Sequence, residues 1–151
     1  MALFVLSEQL LIRDDVRKFT EDPVEQRLIE EFLYILEKME LNNELFCYLD
    51  VYEILGQNGF DARKIQEQLM LYLQERHLHY EKKRLQTVTG YRNYTYMRRK
   101  WKSFLKREKR KEPSWEEIVD RIDHFFSPIW AAAFEDRLYI GDWMPELNRY
   151  L

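Results

Sequence analysis

The strongest constraint on this chain is a helix signal near its start. Asp22-Pro23 joins an Asx N-cap to a proline at the first helical position, where a missing N–H costs nothing. Val24, Leu28, Ile29, Phe32, Leu33, Ile35, Leu36 and Met39 then recur at spacings of three and four with charges between them. A stripe of that kind must be buried against another element, which commits the chain to helical packing. Asn42-Asn43 ends this helix. A second apolar segment from Leu45 to Leu55 stops at Gly56-Gln57-Asn58-Gly59, and Asp61 caps a third helix with Ile65, Leu69, Met70 and Leu73 on one face. The three helices are expected over 23–41, 45–56 and 61–76.

Near His77 the pattern changes. Residues 78–85 and 91–98 are rich in basic and aromatic residues, and Gln86-Thr87-Val88-Thr89-Gly90 lies between them. Gly90 is placed to supply a positive φ, so the segment 78–98 is expected to be a β-hairpin. A rival reading continues the third helix through it, but four Tyr, three Thr and Gly90 make a poor helix interior.

Beyond the hairpin, Arg99 to Lys111 resumes a helical pattern, with Trp101, Phe104 and Leu105 on an otherwise basic surface. Ser114-Trp115-Glu116-Glu117 is a capping box opening a helix through Phe126. Ser127-Pro128 is expected to break that helix before a last one over Ile129 to Tyr139, leaving a loop-like tail from Gly141. At the other end, Ser7 caps a short helix carrying Leu10, Leu11 and Phe19.

Charge is partitioned sharply along the chain. The 151 residues carry a net −3, yet residues 76–111 alone hold 14 Lys or Arg against 2 acids, a local +12. Residues 1–75 carry −9 and residues 112–151 carry −6. Met1 to Leu6 is too short for a signal peptide, and no stretch reaches the roughly 20 apolar residues of a membrane span. Cys47 is the only cysteine, which excludes an internal disulfide and fits a reducing compartment. A protein inside the cell, away from the membrane, is the expectation.

Three helices followed by a hairpin is the order of a winged helix-turn-helix, in which the third helix enters the major groove and the wing touches phosphates. The expected fold is therefore mainly α: a short N-terminal segment over 1–22, a winged helix-turn-helix core over 23–98, and a C-terminal helical extension over 99–151. Arg63 and Lys64 open the third helix; Lys82, Lys83, Arg84, Arg92, Arg98, Arg99, Lys100 and Lys102 follow on and beyond the wing. Cations displace the counterions condensed on phosphates, and that release drives non-specific nucleic-acid binding. Tyr91, Tyr94 and Tyr96 offer rings for stacking on unpaired bases, with at least one aromatic packing inward. Lys106 to Lys111 reads either as a nuclear address or as more phosphate-binding surface.

Residues 71–98 resemble the end of the recognition helix and the wing of the general transcription factor E family, which comprises archaeal transcription factor E and the α subunit of its eukaryotic counterpart. Tyr80-Glu81-Lys82-Lys83-Arg84, Thr89-Gly90-Tyr91 and Tyr94-Thr95-Tyr96 carry the likeness. The resemblance implies a factor that docks on RNA polymerase near promoter DNA and helps hold the strands open. That family often continues into a zinc ribbon with paired cysteines; here an acidic segment, 112–151, stands in its place.

No catalytic order emerges. His77 and His79 lack a third ligand, and although Glu116, Asp120 and Asp123 share one helical face, the helix dipole explains the first-turn acids Glu116 and Glu117 more simply than a metal does. There is no Gly-rich phosphate loop and no flanked nucleophile. The expectation is a non-enzymatic protein without metal or cofactor that binds nucleic acid, DNA ahead of RNA, in transcription or replication control. The competing reading is an adaptor whose basic face and C-terminal aromatics (Trp115, Phe125, Phe126, Trp130, Phe134, Trp143 and Tyr150) meet an acidic protein, such as a subunit of a larger assembly. The acidic C-terminal segment is itself complementary to the basic block, so it is a candidate to mask or orient it.

Overall fold

The computed structural model describes residues 18–151. The N-terminal helix expected at Ser7 lies outside them, apart from Phe19, whose ring meets Tyr72 edge-on. Among the described residues there are six helices and one small antiparallel sheet: α1 (Pro23–Lys38), α2 (Phe46–Gln57), β1 (Phe60–Asp61), α3 (Ala62–Glu75), α4 (Lys83–Gly90), α5 (Thr95–Arg107), α6 (Trp115–Phe134), β2 (Asp142–Met144) and β3 (Arg149–Tyr150). Single 3₁₀ turns at Met39–Leu41 and Tyr91–Asn93 follow α1 and α4.

The caps are those the sequence indicates. Asp22 accepts the Val24 amide at 2.9 Å, Asp61 the Arg63 amide at 3.0 Å, and Ser114 the Glu117 amide at 3.1 Å. Each satisfies an amide left without a partner in the first turn of its helix. The three leading helices fall within about a residue of expectation once the 3₁₀ turn is counted with α1.

The central element is α6. It packs against α2, α3, α4, α5 and β3, and it buries Trp115, Ile118, Val119, Ile122, Phe125, Phe126, Ile129 and Trp130. Phe126 stacks on Phe32 of α1 with ring centroids 3.6 Å apart. All four tryptophans bury their rings while donating the indole N–H to a backbone carbonyl elsewhere: Trp101 to Pro113, Trp115 to Tyr91, Trp130 to Lys82 and Trp143 to Leu55. A buried indole needs such a partner, and here each bond also ties one element to another.

Three expectations are corrected. The hairpin over 78–98 is absent: Lys83–Gly90 is helix, Tyr91–Asn93 is a 3₁₀ turn, and α5 already begins at Thr95. Gly90 has a helical φ of −65°, so the freedom of glycine is unused. Leu85 and Val88 face the core one turn apart, while Thr87 and Thr89 donate their hydroxyls back to the carbonyls of Lys83 and Gln86. The phenols of Tyr80 and Tyr91 reach Glu37 and Glu40 at the end of α1, at 2.7 and 2.6 Å. Indoles from α6 take carbonyls at both ends of this segment. Tertiary contacts therefore override a composition that favours strands.

Second, Ser127-Pro128 does not break α6, which runs unbroken through Pro128 to Phe134. Ser127 turns its hydroxyl onto Asp123 one turn back, and burial on both sides of the proline outweighs the lost backbone bond. Third, the tail is not loop: β2 and β3 form the hairpin, and β1 pairs with β2 through Phe60–Trp143 and Asp61–Asp142. The segment 99–151 therefore supplies the central helix and two of the three strands, and α5 crosses the boundary expected at 98–99.

Candidate nucleic-acid interface

Helix α5 is built from two opposed stripes. Met97, Trp101, Phe104 and Leu105 are buried, at the i, i+4, i+7, i+8 spacing of one face. Arg99, Lys102, Ser103 and Lys106 project from the opposite side, flanked by Tyr96 and Arg107, and all are exposed. Arg99, Lys102, Lys106 and Arg107 make no ion pair among the described residues, and no acid interrupts their stripe. Past the helix end, Lys109 and Lys111 extend the basic surface.

Most other cations of the basic block have structural partners, Lys82 being exposed and without an ion pair among the described residues. Arg92 makes a two-pronged bond to Asp120 at 2.7 and 3.2 Å. Arg98 pairs with Glu116 at 3.0 Å, and Lys83 with Glu81 at 3.4 Å. Arg84 donates to the carbonyls of Leu36 and Glu37, at 2.8 and 3.2 Å, and so closes the C-terminus of α1. Lys100 does the same for the turn that follows, donating to the carbonyls of Glu40 at 3.1 Å and Asn42 at 2.6 Å. The Tyr91 hydrogen bond, first among its causes, holds the Glu40 carboxyl below the usual carboxylate range.

Of the twelve residues expected at the interface, Tyr96, Arg99, Lys100 and Lys102 lie together on α5, with Tyr94 at its N-cap and Arg98 on its α6-facing flank. Arg63 and Lys64 lie elsewhere. They pair with Glu67 at 3.5 Å and Glu25 at 3.3 Å. Early in their helix, Gln66 donates to the carbonyl of Arg137 in the segment that follows α6, whereas Trp101 of α5 bonds Pro113 just before the α6 N-terminus. The 20 residues of α6 between those points span ~30 Å at 1.5 Å per residue. Lys82 is also remote, its carbonyl held by Trp130 more than half the length of α6 from Trp115.

Most of α3 is unavailable for reading a groove. Ile65, Gln66, Gln68, Leu69, Met70, Tyr72 and Leu73 are buried. Gln66 spends its amide on Arg137 and Tyr139, and Gln68 on Lys18 and Thr20. The acidic C-terminal segment does meet the basic block, through Asp120 and Glu116, but on the flank of α5 and not across its exposed stripe.

Lys106 and Arg107 were the interface residues hardest to place by sequence, because nothing in the run 106–111 says which cations share a helix face. The spacing Arg99, Lys102, Lys106, opposite Trp101, Phe104 and Leu105, is the signal that finds them.

A groove of about 480 Å³ runs along this helix, lined by Asn43, Leu45, Tyr96, Arg99, Lys100, Ser103 and Arg107. Tyr96 lines it and Tyr94 stands beside Tyr96, the two rings 48% and 44% exposed with centroids 5.8 Å apart. Among the described residues no cluster of His, Cys, Asp or Glu is arranged to hold a metal, and no helix is long and apolar enough to cross a membrane. Comparison with known proteins finds no matching family model, no matching curated protein and no matching solved structure.

Proposed function

We propose that this is a nucleic-acid-binding protein without catalytic activity, and that the solvent face of α5 is its phosphate-binding surface. The observation that carries the reading is the stripe of Arg99, Lys102, Lys106 and Arg107, four exposed cations with no acid among them and no ion partner among the described residues. Cations held on a rigid helix and left unneutralised by their own protein are what counterion release requires. A role in transcription or replication control, with a polymerase or similar assembly as protein partner, is part of this proposal and rests on the nucleic-acid reading alone, since the residues that resemble the transcription factor E wing lie in helix and turn. The succession α2, β1, α3, then α6 and the β2–β3 hairpin pairing back to β1, supports a winged-helix-like reading with a wing at the chain's end instead of at 78–98.

Against the rival adaptor reading, five of its seven aromatics, Trp115, Phe125, Phe126, Trp130 and Trp143, are buried, while Phe134 and Tyr150 are half-buried. The test is the salt dependence of binding to mixed-sequence nucleic acid. Log affinity should fall linearly with log salt, and Lys102→Ala with Lys106→Ala should reduce the slope by about one per residue. A slope near zero would leave the cations to an acidic protein and overturn the proposal.

A further inference from the structure

We infer that the occupant of the α5 groove is a single strand of nucleic acid whose bases stack on Tyr94 and Tyr96; this deepens the nucleic-acid reading above and rests on it. Both rings are about half exposed although they are large apolar groups, and they stand side by side, 5.8 Å apart and tilted by 47°. Tyr91 continues the row inward, 5.7 Å from Tyr94, and is itself buried. The row is therefore anchored in the core at one end and open at the other.

The groove supplies the phosphate side of the same contact. Arg99, Ser103 and Arg107 line it at successive i, i+4 positions, about 6 Å apart along the helix, a spacing on the scale of one extended nucleotide step. Lys100 lies over the Tyr96 ring, 5.1 Å from its centroid, while anchored to the carbonyls of Glu40 and Asn42. Its ammonium thus backs the ring and fixes it as a platform.

A strand fits this arrangement where a duplex does not. Inside a duplex every base face is already covered by its neighbours, so exposed tyrosines next to a cation row would have nothing to stack on. Unpaired bases present their faces, and stacking on aromatic side chains is indifferent to sequence. Asn43 and Leu45 complete the lining of the groove.

The test uses the full chain and three probes of one mixed sequence: an unstructured DNA strand of about 16 nucleotides, the corresponding RNA strand, and the DNA duplex, each followed by fluorescence anisotropy at several salt concentrations. The strand should bind at least about tenfold tighter than the duplex. Tyr94→Ala with Tyr96→Ala should weaken strand binding by at least about 30-fold, the loss of two stacked bases at ~1–3 kcal/mol each, and leave the salt slope unchanged. Tyr94→Phe with Tyr96→Phe should restore it, and circular dichroism of each variant confirms the fold. Strand preference in either the DNA or the RNA arm supports the inference, and the tighter arm names the sugar. Salt-dependent binding in which the duplex equals or exceeds both strands, or in which the alanine pair weakens strand and duplex alike, overturns this inference while the nucleic-acid reading stands. Absence of salt-dependent binding to all three probes overturns both.

Discussion

At the scale of single residues, position decides what a charge does. Arg84 and Lys100 close helical turns, Arg92 and Arg98 hold α6 acids, and Arg99 and Lys102 face solvent. All six are ordinary members of one basic run in the sequence. The opposite case is Glu31, on the inner side of α1 at the α2 contact. Burial first, then the neighbouring Asp50 carboxyl, pushes it up to about 8 against the opposing pull of Arg27. Arg27 contacts Asp50 directly and lies 3.9 Å from Glu31. A raised pKa in the folded state means that folding takes up a proton. Glu31 therefore contributes stability that is full below the ordinary glutamate range and is lost as pH rises through about 8. Replacing it by glutamine should leave a urea midpoint little changed at pH 5 and raise it progressively between pH 6 and 9. Parallel profiles for the two proteins would show that Glu31 is ionised in the fold.

At the scale of elements, helix ends were legible and helix interiors were less so. Asp22, Asp61 and Ser114 are local devices, each acting within three residues, and each works as its sequence context indicates. The segment 78–98 was misread because its decisive partners are distant. Tyr80 bonds Glu37 of α1 and Tyr91 bonds Glu40 in the turn after it, and the carbonyls of Lys82 and Tyr91 bond indoles of α6. Pro128 misleads for a similar reason. An internal proline costs a helix ~3 kcal/mol in isolation, but Phe125, Phe126, Ile129 and Trp130 around it are buried and hold the helix together. Pro128→Ala should restore the missing N–H and stabilise the protein by about 1–3 kcal/mol, seen as a higher midpoint in urea. A lower midpoint would mean that the ring's own packing outweighs the lost bond.

At the scale of the whole molecule, the charge partition is folded into a surface. The +12 of residues 76–111 is partly spent on Glu30, Glu53, Glu116 and Asp120, and what remains unpaired is concentrated along α5 and the turn after it. Arg63 and Lys64 stand at the other end of α6. Their joint replacement by alanine should leave nucleic-acid affinity within about twofold and the salt slope unchanged, measured beside the α5 variants. A loss matching that of Lys102→Ala with Lys106→Ala would show that the bound strand reaches around to α3.

The sequence by itself determined the helical class, the caps, the apolar stripes and the concentration of positive charge, because each depends on neighbours within a turn or two. Tertiary structure alone decided that 83–90 is helix and that no hairpin spans 78–98, that α6 is continuous and central, and that the hairpin belongs to residues 142–150. It alone also decided which cations are free. Those outcomes depend on long-range bonds such as Trp115 to Tyr91, Arg92 to Asp120 and Trp143 to Leu55, whose partners lie 24 to 88 residues apart and leave no periodic trace in either segment.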